Sequence, residues 1–333
     1  MKHRFSASTA ALAFTLAVVS LAPAPSAGQS RLASPKKWTP PRTPDGQPDL
    51  QGIWSNATIT PFERPKELAG KEFFTEREAA DYEKRIVQEG NRDVRGRDAD
   101  ADLKGAYNEF WFDRGTKVVP TRRTSLVVDP RDGKVPPLTP EAQKTAAVRE
   151  EIARRPPEGP EDLPPVVRCL VWPTVGPPML PTAYNNNYQI VQSPGYVTIL
   201  TEMIHDVRII PLDGRPHLPE TIRQWLGDSR GHWEGKTLVV DTTNFTDKAH
   251  FSGSDRNLHV TERFTRTDAN TILYQFTVED PTAFTLPWKG EVSLTKTPGP
   301  IYEYACHEGN YAMESILKGA RAQEKEAAKK DSR

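Results

Sequence analysis

From residue 188 to residue 306 the sequence is a series of short segments of alternating apolar and polar residues, separated by turn signals such as Ser193-Pro194-Gly195. A period of two is typical of strands with one buried face, and close spacing favours pairing in sequence order. We predict a mainly β, α+β fold: an antiparallel meander that forms an eight-stranded closed or partly open barrel with flanking helices. An open sheet or a sandwich of the same strands is the alternative. The predicted strands are Tyr188–Gln192, Tyr196–Glu202, Val207–Pro211, Thr237–Thr242, Leu258–Thr265, Thr271–Glu279, Lys289–Thr295 and Ile301–Cys306.

Helical signals dominate the region before these strands. Thr75 and Glu78 form a capping box, and Pro140 follows Thr139 in the first position of a second helix. A charged helix is predicted for residues 311–330, and short strands are predicted near residues 50–54 and 124–128. We divide the chain into a signal peptide (1–27), an extended Pro-rich segment (28–66), a helical and hairpin region (67–160), a barrel-like domain (161–310) and a C-terminal helix with a tail (311–333).

The N-terminus has the pattern of an export signal. Basic residues at positions 2–4 precede an uncharged, mostly apolar run from Ala10 to Leu21, and small residues lead to a cleavage site after Ala27. The apolar run is shorter than the roughly 20 residues that a membrane-spanning helix needs. We therefore expect a cleavable signal peptide, a secreted or periplasmic protein and no transmembrane anchor.

The charge balance bears on the choice of partners. Cleavage after Ala27 leaves 42 basic and 44 acidic side chains, and this near-neutral balance argues against a nucleic-acid partner. The sequence has no P-loop or dinucleotide fingerprint, and its histidines lack the close spacing of a zinc site, so we predict no cofactor and no metal. The oligomeric state stays open.

Cys169 and Cys306 are the two cysteines of the chain. In an oxidising compartment a single disulfide between them is the favoured interpretation. A nucleophile formed by Cys306 with His307 is the alternative. It is geometrically poor, because neighbouring residues on a strand point to opposite faces.

Several charged residues interrupt strands that are otherwise apolar, and these are the candidate ligand-binding residues. A buried charge is costly unless it is paired, so Glu202 and Arg208, on consecutive predicted strands, are expected to form a cross-strand ion pair. Such a pair is either structural or part of a ligand pocket. The other candidates are His259, Glu262 and Arg263 on one strand and Glu303 on the last strand.

The sequence resembles an uncharacterised group of exported bacterial proteins. The resemblance rests on TPDGQPDLQGIW at the start, DPRDGKVPPLTPEA, YNNNYQIVQSPGYVTILTEM, HWEGKTLVVDTTNF, LHVTERFTR and EYACHEGN. It covers nearly the whole mature chain and implies export, and it carries over no reaction. More loosely, the Gly-x-Trp motif at residues 52–54, ahead of a meander, is similar to the opening of lipocalin-like (calycin) barrels, which bind small molecules.

Three functions remain open. The first is a secreted protein whose calycin-like barrel holds a polar or amphiphilic small molecule. The second is an exported hydrolase or lyase that acts on carbohydrate-like material through paired carboxylates among Glu202, Glu262 and Glu303. The third is a structural protein without a pocket. Four tryptophans bear on the first function, because each would either pack in the core or stack on a ligand such as a sugar: Trp172, Trp225, Trp233 and Trp288.

Overall fold

The computed structural model describes residues 38–94 and 108–331 of the chain. The expected signal peptide lies outside these described residues. Within them the chain forms ten β-strands and three α-helices. The strands are β1 (Gly52–Ser55), β2 (Val127–Asp129), β3 (Asn187–Ser193), β4 (Tyr196–Thr201), β5 (Val207–Pro211), β6 (Asp228–Glu234), β7 (Thr237–Thr243), β8 (His259–Arg266), β9 (Thr271–Glu279) and β10 (Trp288–Thr297). The helices are α1 (Glu76–Glu89), α2 (Pro140–Arg154) and α3 (Tyr311–Asp331).

All ten strands belong to one antiparallel sheet with the order β5-β4-β3-β1-β10-β9-β8-β7-β6, and β2 pairs with the start of β10. The prediction of a mainly β, antiparallel fold with flanking helices is confirmed. The prediction of a closed barrel is not, because no backbone ladder joins the edge strands β5 and β6 among the described residues. The two edges lie close together without a ladder: the Ile210 side chain of β5 packs on Gly231 of β6, where an added Cβ would lie 2.8 Å from Ile210 Cγ2.

Two strands differ from the sequence prediction. β6 was not predicted, because its sequence DSRGHWE is polar and its buried positions carry Asp228, Ser229 and Gly231 rather than large apolar residues. The predicted strand Ile301–Cys306 is wrong, since this segment has no ladder partner. Its Tyr302 backbone N–H donates to the Glu202 carboxylate (3.1 Å), so a side chain satisfies a group that a ladder would otherwise pair.

The core lies on the inner face of the curled sheet. In β8 and β9 every second residue is buried, as the sequence alternation predicted. The largest fully buried side chains include Trp54 of β1, Trp288 of β10 and Tyr188 of β3. Burial of one large apolar side chain stabilises the fold by about 1.5–3 kcal/mol, so the central strands contribute most to the hydrophobic stabilisation.

Helices α1 and α2 begin at the residues that the capping patterns in the sequence predicted. The Thr75 hydroxyl accepts from Glu78 N (3.3 Å) while the Glu78 carboxylate accepts from Thr75 N (2.8 Å), which completes the capping box of α1. At α2, Thr139 Oγ1 accepts from Ala142 N (3.2 Å). Among the described residues, none of the helices combines the length with the apolar character that a membrane span requires.

A disulfide joins Cys169 and Cys306, whose Cα atoms lie 5.8 Å apart, and both predicted partners are thereby confirmed. The bridge fastens the segment before β3 to the segment after β10. These two segments are 137 residues apart in sequence.

Candidate functional site

A cavity of about 440 Å³ lies at one end of the sheet, between three connecting segments. The first is the Pro-rich segment 164–182 before β3, the second is the end of the β5–β6 connection, and the third is the β7–β8 connection. We call it the end pocket. Its apolar wall consists of Pro164, Pro165, Val166, Val171, Trp172, Pro173, Pro177, Pro178, Trp225, Leu226, Phe245, Ala249, Phe251 and Leu258.

The floor of the end pocket is fixed by hydrogen bonds to the sheet. Met179 N donates to the Tyr274 hydroxyl (2.9 Å), and the Tyr188 hydroxyl donates to Thr174 O (2.9 Å). Both tyrosines are fully buried on the inner face. The segment from Thr174 to Met179 is therefore held across the sheet interior, and its residues 176–178 line the pocket.

A second set of backbone hydrogen bonds positions Trp225. Gln224 N donates to Asn244 O (3.0 Å), and Thr246 N donates to Gln224 O (2.9 Å). These bonds join the β5–β6 connection to the β7–β8 connection. As a result, Trp225 and Phe245 line the same cavity.

The polar groups of the wall are mostly engaged with the protein itself. Ser254 Oγ donates to Asp280 Oδ2 (2.5 Å), and Asp255 Oδ2 lies 2.6 Å from an Arg149 nitrogen in an ion pair. His250 is exposed at the pocket, and partial desolvation, together with the Arg149 charge, lowers its pKa. The cavity therefore has a mainly apolar wall, and the polar side chain of His250 at the cavity is exposed to solvent.

Arg208 and Glu262, two of the predicted site residues, lie in the sheet interior. Arg208 donates to both oxygens of Glu262, at 3.0 Å for Nη1 to Oε1, and the Tyr274 hydroxyl donates to Oε1 at 2.8 Å. Burial alone would lower the pKa of Arg208, but the charge of Glu262, its hydrogen bonds and the neighbouring tyrosines together outweigh burial and raise that pKa. Glu262 is 0 % exposed and Arg208 is 4 % exposed, so the pair fills the interior and is almost completely shielded from solvent.

The expected ion pair between Glu202 and Arg208 is therefore wrong. Glu202 follows the end of β4 with helical backbone angles, and its carboxylate accepts from Asn187 Nδ2 (2.7 Å) and Tyr302 N (3.1 Å). Arg208 points into the sheet interior, where Glu262 is its partner. Glu202 and Arg208 are therefore close in sequence, but their side chains lie in different surroundings.

Arg263 and Glu303 lie away from the interior. Arg263 donates to Glu234 Oε2 (2.7 Å) on the outer face of the sheet, where both side chains are about half exposed at 40 % and 50 %. Glu303 is exposed in the segment after β10, so the expectation that it points inward with a strand is wrong. None of the six predicted site residues lines the end pocket.

His259 belongs to a chain of imidazoles and carboxylates on the outer face of β6 to β9. Its Nε2 lies 2.5 Å from Asp241 Oδ2, and its Nδ1 lies 3.3 Å from Glu279 Oε2. The hydrogen bond to Asp241 raises the pKa of His259, and the same bond lowers the pKa of Asp241. His217 continues the chain, with Nε2 at 2.9 Å from Asp241 Oδ1 and Nδ1 at 2.8 Å from Asp228 Oδ2.

Imidazoles and carboxylates are also the side chains that bind zinc in proteins. No group of three or more potential ligands in the described part of the chain has the geometry to hold a metal ion. Each nitrogen of His217 and His259 faces a carboxylate. The two contacts of His217 and the contact of His259 Nε2 are charge-assisted hydrogen bonds.

The residues that form the end pocket were only partly indicated by the sequence. Trp172 and Trp225 were identified as candidates for stacking on a ligand, and both line the cavity. Trp288 is fully buried in the core, in agreement with the alternative interpretation of the tryptophans. The Pro-rich stretch from Pro173 to Pro178 also lines the pocket, and the sequence prediction did not include it. Prolines restrict the backbone, so such a stretch beside aromatic residues is suited to forming a rigid wall.

Comparison of the chain with protein-family models and with curated protein sequences finds no match.

Proposed function

We propose that the protein is an exported binding protein that holds a small amphiphilic molecule, with an apolar body and one polar end, in the end pocket. The observation that carries the proposal is the cavity of about 440 Å³ with a wall of tryptophan, phenylalanine and proline side chains. Small-molecule sites usually measure about 300–1,000 Å³ and have mainly apolar walls with a few polar groups.

The proposed site differs from that of a closed calycin-like barrel. A lipocalin-type site would occupy the interior of the sheet, but here that interior holds Tyr188, Tyr274 and the Arg208–Glu262 pair. The curled sheet would act as a partly open barrel that supports the site at its end. We place the apolar body of the ligand between Trp172 and Trp225.

The polar end of the ligand would lie toward His250. Ser254 and Asp255 already have partners in Asp280 and Arg149, and breaking the Ser254–Asp280 contact would leave buried polar groups unsatisfied. His250 is exposed and can exchange a water contact for a ligand contact at little cost. A neutral or weakly polar end group suits this position better than a strongly charged one.

Export is part of the proposal. The disulfide between Cys169 and Cys306 favours an oxidising compartment, and the N-terminal pattern of a signal peptide agrees with it. The hydrolase alternative has less support, because its carboxylates do not share one site. Glu262 pairs with Arg208 in the interior, Glu202 accepts from Asn187, and Glu303 is exposed.

Fluorescence titration of the mature protein with N-phenyl-1-naphthylamine, an uncharged apolar dye, tests the proposal. We expect saturable binding and a weakening of the dye's Kd by at least about tenfold in Trp225→Ala, because truncating a central aromatic contact typically has a large effect on binding. Trp111→Ala is the control, since Trp111 is 58 % exposed and lies outside the pocket.

Two results would refute the assignment of the pocket. One is the absence of saturable dye binding by the folded wild-type protein. The other is an equal loss of affinity in Trp225→Ala and Trp111→Ala. A second variant, Ala249→Phe, is expected to fill part of the cavity and weaken binding without removing an aromatic wall.

A further inference from the structure

Three aromatic side chains form a row that begins in the wall of the end pocket and leads away from it. The ring centroids of Trp172 and Tyr184 lie 6.2 Å apart, and those of Tyr184 and Tyr304 lie 6.4 Å apart. Successive ring planes are inclined by 37° and 31°, so the orientation changes gradually along the row. All three side chains are partly exposed, and only Trp172 lines the end pocket. We call these three residues the aromatic row.

Packing and hydrogen bonds fix the aromatic row to the protein. Its rings pack against a small buried cluster that consists of Val175, Met203 and Ile204. The Thr182 hydroxyl accepts from Trp172 Nε1 (3.4 Å) and donates to Tyr184 O (3.2 Å). The first two rings therefore keep their relative position through a shared support.

The segment that carries Tyr304 is irregular, but it is held at three points. Tyr302 N donates to the Glu202 carboxylate (3.1 Å), and His205 Nδ1 donates to Tyr304 O (3.2 Å). The third point is the disulfide at Cys306. A surface that is already ordered loses little conformational entropy when it binds a ligand. The third ring of the row is therefore positioned in advance of binding.

The turn between β4 and β5 is strained beside the aromatic row. Ile204 and His205 are consecutive residues with positive φ angles of 62° and 46°. This region disfavours residues other than glycine, above all a β-branched residue such as isoleucine, and strained backbone is frequent at binding sites. Here the turn packs Ile204 against the rings and brings His205 into contact with Tyr304.

Hydrogen-bond acceptors border the row at two of its rings. Asp113 is exposed, and its backbone N–H donates to the carbonyl oxygen of Ala183 (2.8 Å), the residue before Tyr184. His205 is also exposed, and because its Nδ1 donates to Tyr304 O, its Nε2 is an acceptor in the neutral ring. A carboxylate and an imidazole nitrogen are both suited to accept hydrogen bonds from ligand hydroxyl groups.

We propose that the aromatic row is a second binding site, and that its ligand is an extended, β-linked glycan. The pyranose rings of such a chain have apolar C–H faces, which stack on aromatic rings, and hydroxyl groups along their rims. Successive aromatic rings in a row suit an extended chain of sugars better than one compact ligand. The hydroxyl rims would face Asp113 and His205. The site shares Trp172 with the end pocket, but it does not depend on the proposed function.

Isothermal titration calorimetry of the mature protein with cellohexaose, an uncharged linear glycan, tests the site. We expect saturable binding and a Kd that weakens by at least about fivefold in Tyr304→Ala and in Tyr184→Ala, because each variant removes one stacking ring. Tyr304→Phe keeps the ring and should bind within about twofold of the wild type. Tyr196→Ala is the control, since Tyr196 is 36 % exposed but begins β4, at the end of the strand away from Glu202.

Two further oligosaccharides define the class of glycan. Chitohexaose is also extended and β-linked, so tighter binding of chitohexaose than of cellohexaose would assign the site to acetamido sugars, and the variants are then measured with it. Maltohexaose, whose α-linkages curve the chain, should bind more weakly than the preferred β-linked chain. Binding of neither β-linked chain, or equal binding of maltohexaose, would overturn the proposal. Equal losses of affinity in Tyr304→Ala and Tyr196→Ala would do the same.

The dye N-phenyl-1-naphthylamine separates this site from the end pocket. Its Kd is expected to stay unchanged in Tyr304→Ala, because Tyr304 lies outside the end pocket. Glycan binding without dye binding would support the aromatic row and refute the proposed function. Dye binding without glycan binding would refute the aromatic row as a site and leave the proposed function in place.

Discussion

Glu262 shows at the residue scale how a charge embedded in an apolar strand finds its partners inside the protein. Its carboxylate accepts from Arg208 and Tyr274, and no part of the residue reaches solvent. A buried ion pair adds little net stability over apolar residues, but removing one partner leaves the other charge without compensation. The pair therefore affects the free energy of unfolding mainly when one of its two partners is removed.

Glu262→Gln should consequently lower the free energy of unfolding by about 3 kcal/mol, because Arg208 would keep its buried charge and lose its counter-ion. Urea denaturation at neutral pH measures this loss. Glu234→Gln is the matched control, since it breaks the exposed pair with Arg263 and should lower the free energy of unfolding far less than Glu262→Gln does. Similar losses in both variants would contradict the structural role of the buried pair.

The sequence located charges in apolar strands correctly, but it did not identify their partners. Glu202 and Arg208 are close in sequence, whereas the actual partner of Arg208 lies on β8, 54 residues further along the chain. Partner choice depends on how the sheet curls, and alternation within a strand carries no information about that curl.

At the scale of elements, regular patterns were predicted well and irregular ones poorly. β8 and β9 alternate cleanly and lie where the period of two placed them. β6 was missed because small and polar residues occupy its buried positions. The segment 301–306 alternates like a strand, but it follows β10 as an irregular segment tied to Glu202 and to the disulfide.

The disulfide gives a prediction at this scale. It closes a long loop between the segments before β3 and after β10, so removing it frees chain entropy in the unfolded state. The variant carrying Cys169→Ser and Cys306→Ser should lose about 2–4 kcal/mol in the free energy of unfolding. Adding a reductant should destabilise the wild-type protein by a similar amount and leave the double variant unchanged. A double variant as stable as the oxidised wild type would contradict this role.

At the scale of the whole molecule, the filled interior moves the available cavity to the end of the sheet. Tyr188, Tyr274 and the Arg208–Glu262 pair occupy the space that an open barrel would offer to a ligand. The segment 174–179 is fixed above them and separates them from the end pocket. No sequence pattern indicates that segments 164–182, 225–226 and 245–258 converge, because their contact results from the curl of the whole sheet.

A crystal structure of the mature protein with N-phenyl-1-naphthylamine bound tests the central claim most directly. We predict the dye's rings in the end pocket, in contact with Trp172 and Trp225, and no dye among the residues around Glu262. A dye molecule seated in the sheet interior, or only on the outer face of the sheet, would contradict the assignment of the end pocket as the binding site.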